Sequence, residues 1–269
     1  MSMDAAQLEK SLSSVLSWWD EAGVETPPLA PPKPKKRAPL KRELVRPAGE
    51  TKAARPAAPS AAAPSDEALI KSAEVMAAKC KTAAELKAAI ENFNAGALSD
   101  GARGAVVSRG NPSADIMVIG EAPGAQEDAA GQPFIGPAGQ LLDKIFASIG
   151  LNEDALYITN VCNWRPPSHR KPNDEDIAIC LPIIRRHIAL IQPKIIVLVG
   201  GASMAALTKL KGITKSRGTW ESIETKSQDG TVSIPALVTY HPAYLLRQPH
   251  LKRDVWRDIL SLKAKIDEL

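Results

Sequence analysis

Four short apolar runs, at 115–120, 155–161, 194–199 and 235–240, each stand beside a stretch of helical character, and this alternation constrains the fold more than any other feature. Ile116-Met117-Val118-Ile119 and Ile195-Ile196-Val197-Leu198-Val199 contain no polar residue. A strand with no polar face is covered on both sides, as strands of parallel sheets are. Helices are expected over 139–149, 174–191 (with an irregularity at Pro182), 202–210 and 252–269, and one or two more over 66–92. Strands alternating with helices imply a three-layer α/β/α domain around a central, mostly parallel four-stranded sheet.

The segment before residue 65 has a different composition. From Pro27 to Pro64 the chain is mostly Pro, Ala, Lys and Arg, with nine basic and two acidic residues between Lys33 and Arg55. Such a segment has too few apolar side chains to offset its ordering entropy. It is either a solvated spacer or a non-specific tether to nucleic acid or another anionic surface. Leu8, Leu12, Val15, Leu16 and Trp19 fall at helical spacing ahead of it, capped by Asp4, and either dock on a partner or pack back on the parent domain. The expected organisation is an amphipathic helix at 1–26, a basic linker at 27–64 and one domain at 65–269. No apolar run approaches the ~18 residues of a membrane span, and Asp4 and Glu9 interrupt any leader-like core. A cytoplasmic location is expected, without membrane association.

In an open α/β sheet, ligands sit at the carboxyl ends of strands. GEAPG at 120–124 follows the first apolar run and brings Glu121, a Pro-Gly turn and then Glu127-Asp128. GQPFIGPAGQLLD follows at 131–143. Phe134 lies among its glycines, an unusual place for core packing and a suitable one for stacking on a base. Gly139 opens a helix, where free N–H groups favour a phosphate. Asn160 ends the second run; its amide offers one acceptor and two donors, which match the N3–H and O4 of a uracil edge, unless it is only a turn asparagine. Arg165, His169, Arg170 and Lys171 make a proline-stiffened basic loop suited to phosphate, or simply to solvent.

HPAYLLR at 241–247 follows the fourth run. Leu245, Leu246 and Arg247 read as an apolar wedge beside a cation, the means by which proteins hold open a distorted duplex. The alternative is that both leucines are core and His241 is a helix cap.

Taken together, GEAPG-x-x-ED, GQPFIGPAGQLLD, YITNV, RPP-x-x-R-x-P, Gly200-Gly201 after a strand, and HPAYLLR resemble the uracil-DNA glycosylase superfamily, nearest its family-four type, over about 114–262. The resemblance implies a monofunctional hydrolase that flips uracil out of DNA and cleaves its N-glycosidic bond, leaving an abasic site for base-excision repair. It implies that Glu121, with the backbone at Ala122, lines the uracil pocket and favours water attack at C1′. Glu127 would be a second acid near the sugar, Phe134 would stack on uracil, and Asn160 would read its edge. His241 would donate to O2, where charge grows as the bond breaks. Leu245, Leu246 and Arg247 would form the intercalation loop, with Gly139, Arg165, His169 and Arg170 on the DNA backbone. Uracil-containing DNA and its abasic product are the expected partners of a monomer.

The chain departs from that family in two places. Family-four enzymes hold an iron–sulfur cluster on four cysteines, and this chain has only Cys80, Cys162 and Cys180, with Trp164 at an expected ligand position. No cluster is expected. His169 stands where the family carries asparagine, and one branch of the superfamily uses a histidine in this loop to trap the sugar covalently. Covalent capture, tight binding of abasic product and an ordinary polar contact all remain open for it. The alternative to a turnover enzyme is thus a uracil- or abasic-DNA binder acting through His169. An unrelated nucleotide-binding module would carry a phosphate fingerprint, and G-x-G-x-x-G and G-x-x-x-x-G-K-[ST] are both absent.

Overall fold

A computed structural model describes residues 65–227 and 230–269, all within one compact unit. The helix expected at 1–26, the linker at 27–64 and the side chain of His169 lie outside the described parts.

The described chain opens with α1 (Asp66–Lys79), whose N-cap Ser65 accepts from the Ala68 N–H, with acids in the first turn and Lys79 in the last, as the helix dipole favours. Then come α2 (Ala83–Glu91), α3 (Ala97–Asp100), β1 (Ser108–Gly110) and β2 (Ile116–Gly120). Next are α4 (Ala125–Ala130), α5 (Pro137–Ala147), β3 (Leu156–Asn160), a 3-10 turn at Pro167–His169 and α6 (Asp174–Ile191). Asn173 and Asp176 close a reciprocal capping box on α6, which runs through Pro182 without a break. The chain continues with β4 (Ile195–Val199), α7 (Gly201–Leu207), α8 (Ile213–Ser216), β5 (Trp220–Ser227) and β6 (Gly230–Thr239). It closes with α9 (Pro242–Arg247), a 3-10 turn at Pro249–Leu251 and α10 (Lys252–Asp267).

Among the described residues six strands form one sheet in the order β1-β3-β2-β4-β6-β5. The four expected strands are its parallel centre. The two antiparallel edges, β1 and β5, were not anticipated. β1 is three residues long and β5 alternates buried with exposed positions, so neither is an apolar run.

Strand pleat sorts the central residues onto two cores. Met117, Ile119, Ile196, Leu198 and Val238 face α1, α2 and α6. Ile116, Val118, Ile158, Val197 and Leu237 face α5, α9 and α10. Burying each such side chain contributes ~1.5–3 kcal/mol, enough to fix every strand in register. The chain passes from β2 outward to β3, then returns to β4 on the other side. The switch point therefore lies between the carboxyl ends of β2 and β4, where an open α/β sheet leaves its crevice.

Candidate active site

A cleft of about 520 Å³ opens at that switch point. The Glu121–Ala125 loop forms one wall, and Arg165, Pro166 and Arg170–Pro172 a second. Ile213 and Thr214 of α8 and His241, Tyr244 and Arg247 close it. Sequence reasoning passed over Ile213 and Thr214, which carry no motif of their own; Tyr244 belongs to HPAYLLR.

Gly120 is the pivot of the interior. A Cβ there would lie 2.4 Å from both Asn160 Oδ1 and the Phe134 ring, so only glycine lets the amide and the aromatic meet across the strand end. Asn160 is buried and its Oδ1 has no hydrogen-bond partner. A buried orphan acceptor costs ~1–3 kcal/mol unless a ligand satisfies it. Phe134 is buried rather than displayed, with φ +55°. Such a backbone costs ~1–3 kcal/mol and persists only when its surroundings enforce it. Here they do. Arg109 of β1 donates from Nε to the Pro133 carbonyl at 3.0 Å and from Nη2 to the Phe134 carbonyl at 3.3 Å. Its own charge is held by Glu153 at 3.2 Å and by Asp143. Arg109 is a further residue that sequence reasoning missed: nothing local links a strand arginine to a loop 25 residues on.

His241 is the N-cap of α9, and its Nδ1 accepts from the Ala243 N–H at 3.1 Å. Its ring stacks on Phe134, centroids 5.6 Å apart at 27°, and its Cβ abuts Gly200, whose φ is +105°. Burial, then Arg247, pushes its pKa down to about 4, against an upward pull from Glu127. The ring is therefore neutral at physiological pH.

The two expected acids sit differently. Glu121 lines the cleft, half-buried. Glu127 accepts from the Gly136 N–H at 2.8 Å, and its other oxygen lies against Gly124. It thereby ties the GEAPG turn to the loop that carries Phe134. Ala122 lies in the cleft wall beside Glu121.

The expected DNA-contacting residues divide as well. Arg165 and Arg247 line the cleft, and the Arg247 guanidinium lies 5.9 Å from the Tyr244 ring centre. Arg170 also lines it, but binds Asp176 through both guanidinium nitrogens, one at 3.2 Å, and so braces its loop against α6. His169 lies in the 3-10 turn of that loop, after Ser168 at φ +55°. Gly139 packs against the Phe134 carbonyl, so closely that a Cβ would collide with it; its own loop covers the helix end expected to meet a phosphate. Leu245, expected in the wedge, is fully buried in the lower core, while Leu246 is 46% exposed.

The three cysteines are the candidate cluster ligands. The Cys162 thiol donates to the Asp176 carbonyl at 4.0 Å, and the neighbouring Cys180 thiol, followed by burial, holds it well above the usual range. The Cys80 thiol donates to the Met76 carbonyl at 3.3 Å. Trp164 is buried and packs on Phe93, centroids 6.0 Å apart. Among the described residues no group of three or more His, Cys, Asp or Glu could hold a metal. These residues do not fit a four-thiolate cluster.

Comparison with known proteins agrees with the geometry. A family model described as the uracil DNA glycosylase superfamily matches residues 107–260. The chain is 36% identical over 160 residues to a type-4 uracil-DNA glycosylase of Pyrobaculum aerophilum, covering 58% of this chain and 81% of that protein. It is 39% identical over 165 residues to one of Sulfurisphaera tokodaii, covering 59% and 73%. With one of Thermotoga maritima the identity is 37% over 165 residues, covering 60% and 82%.

Proposed function

This chain belongs to the uracil DNA glycosylase superfamily, and from that premise we propose how its residues divide the work of hydrolysing the N-glycosidic bond of uracil in DNA at the start of base-excision repair. One observation carries the reading: the orphaned Asn160 Oδ1 and the Phe134 ring meet at Gly120, buried directly behind the cleft-lining Glu121. A flipped uracil satisfies it, N3–H donating to Oδ1 and O4 accepting from Nδ2, while its face rests on Phe134. Because Nδ1 of His241 is already an acceptor, the proton of its neutral ring sits on Nε2. That N–H donates to O2, where negative charge accumulates as uracil departs. Such a donor acts more strongly in the transition state than before it. Glu121 stabilises the oxocarbenium-like sugar and orients the attacking water.

The contacts of Glu127 support a brace for the Phe134 loop better than a second acid at the sugar. Leu246 is the wedge and Leu245 its anchor. Arg165 and Arg247 meet phosphates, and Arg170 holds its loop in shape. The protein works without an iron–sulfur cluster, its place taken by apolar packing of Trp164 on Phe93. It acts as a monomer on genomic DNA in the cytoplasm and releases an abasic site. No helix among the described residues is long and apolar enough to cross a membrane.

A second reading rests on the loop of His169, whose neighbours Arg165 and Arg170–Pro172 line the cleft. In this reading the histidine of the loop captures the abasic product or slows its release. The test is a denaturing gel of labelled uracil DNA with the protein, with and without alkali. Alkali-dependent cleavage that turns over supports the enzyme. A shifted band that survives denaturant and disappears in His169→Asn supports the trap. No cleavage and no adduct would overturn both.

A further inference from the structure

The surface that continues from the wedge helix is built against the local rules of helix stability. Only Gln248 separates α9 from the 3-10 turn at Pro249–Leu251, which runs directly into α10. The first turn of α10 begins with Lys252 and Arg253 and has no side-chain cap, although cations are disfavoured at this positive end of the helix dipole. The outward stripe then continues through Trp256, Arg257 and Leu260. Trp256 is 45% and Leu260 47% exposed, one helical turn apart. The Arg253 and Arg257 side chains are 76% and 65% exposed, and both lie beside one carboxylate, Asp254, at 3.9 and 3.6 Å. Three cations against one acid, with an exposed tryptophan among them, give the fold nothing that a polar stripe would not. Local rules broken without structural gain mark a functional surface.

We propose that this face of α10 extends the DNA-binding surface beyond the flipped nucleotide. Lys252, Arg253 and Arg257 neutralise phosphates of the flanking strand, and Trp256 packs on its sugar–base edge. DNA is favoured over an acidic protein because the stripe follows directly along the chain from α9, which carries Arg247 at the cleft and the exposed Leu246 beside it. The inference rests on that reading of α9. Phosphate contact explains why cations crowd a helix end that repels them, and an aromatic among basic groups suits stacking on nucleic acid.

The test uses the full chain and a duplex carrying an uncleavable abasic analogue, so that binding is read apart from excision. Arg253→Ala/Arg257→Ala is expected to weaken binding and to flatten the salt dependence of log Kd by about two, the slope lost with two phosphate contacts. Trp256→Ala is expected to weaken binding without changing that slope. Both variants should keep the wild-type thermal midpoint and the wild-type single-turnover excision rate at saturating enzyme. Trimming the duplex close to the lesion on one side should abolish the difference between variants and wild type. Unchanged Kd and slope, or equal losses on full and trimmed duplexes at both ends, would overturn the proposal. A wild type that binds the duplex with this salt dependence but excises no uracil would overturn the glycosylase reading and leave this surface standing.

Discussion

The backbone N–H of Ala243 points at Nδ1 of His241 from 3.1 Å, so the first turn of α9 fixes the tautomer of the ring that faces the cleft. The hydrogen bond that caps the helix leaves the other nitrogen as the donor, the one proposed above to meet uracil O2. Of the two readings of His241 open in the sequence, the structure shows the helix cap, and the cap leaves Nε2 for the proposed reacting role.

His241→Ala is therefore expected to slow single-turnover excision by ~10²–10³, the usual loss for a donor acting on transition-state charge. DNA binding should change little. Weaker binding with an unaltered cleavage rate would make His241 only a cap.

Asn160→Ala removes both partners of the uracil edge. Losing a buried hydrogen bond costs ~1–3 kcal/mol, so excision should fall roughly ten- to a hundredfold. The loss should concentrate on the uracil-dependent part of binding, read as the difference in Kd between uracil and thymine oligonucleotides. Equal discrimination in mutant and wild type would remove Asn160 from the pocket.

Gly120→Ala probes the same contact from the other side. Its Cβ would press on Asn160 and Phe134 at 2.4 Å. Overpacking of this kind costs ~1–3 kcal/mol, a modest drop in thermal midpoint, while excision should be nearly lost because both groups are displaced. A folded, fully active variant would contradict the described packing.

Stability should fall in mild acid because of two buried histidines. Burial holds both His187 and His241 at a pKa of about 4, with Arg247 adding to the effect at His241. His187 lies 3.4 Å from the Tyr157 hydroxyl and its Nδ1 has no partner. In the unfolded chain each takes up a proton near pH ~6.5. The stabilisation is complete above that pH and drains away as pH falls from 6.5 toward 4, by up to about 3 kcal/mol per histidine. Urea unfolding at stepped pH should show this, with about half the loss removed in His187→Leu. A flat profile would mean that both rings open to solvent.

Protein purified under anaerobic conditions should contain no stoichiometric iron or sulfide and no absorbance from thiolate-ligated metal. Trp164→Cys should not restore binding, because the Cys80 and Cys162 thiols already donate to the Met76 and Asp176 carbonyls. Iron bound in proportion to protein would refute the assignment.

The parallel core was legible because strands covered on both faces cannot hide their apolar runs. β1 and β5 were not, since an edge strand needs only one covered face and β1 is three residues long. Motif residues at strand ends, such as Glu121 and His241, do come together at the cleft. What the motifs could not convey is which atom of a residue is already committed. Arg170 reads as a free cation until Asp176 appears beside it, and nothing in the sequence tells that the Gly136 N–H donates to Glu127. Leu245 and Leu246 are chemically identical neighbours, and only the direction of a six-residue helix sends one into the core and the other out.

The grip of Arg109 on the Pro133–Phe134 carbonyls acts at a distance. The aromatic proposed to meet the base is set from the outermost strand, through Glu153 and Asp143, by groups that do not line the cleft. A change at either remote acid loosens that grip and lets the ring tilt while every residue of the cleft wall stays the same.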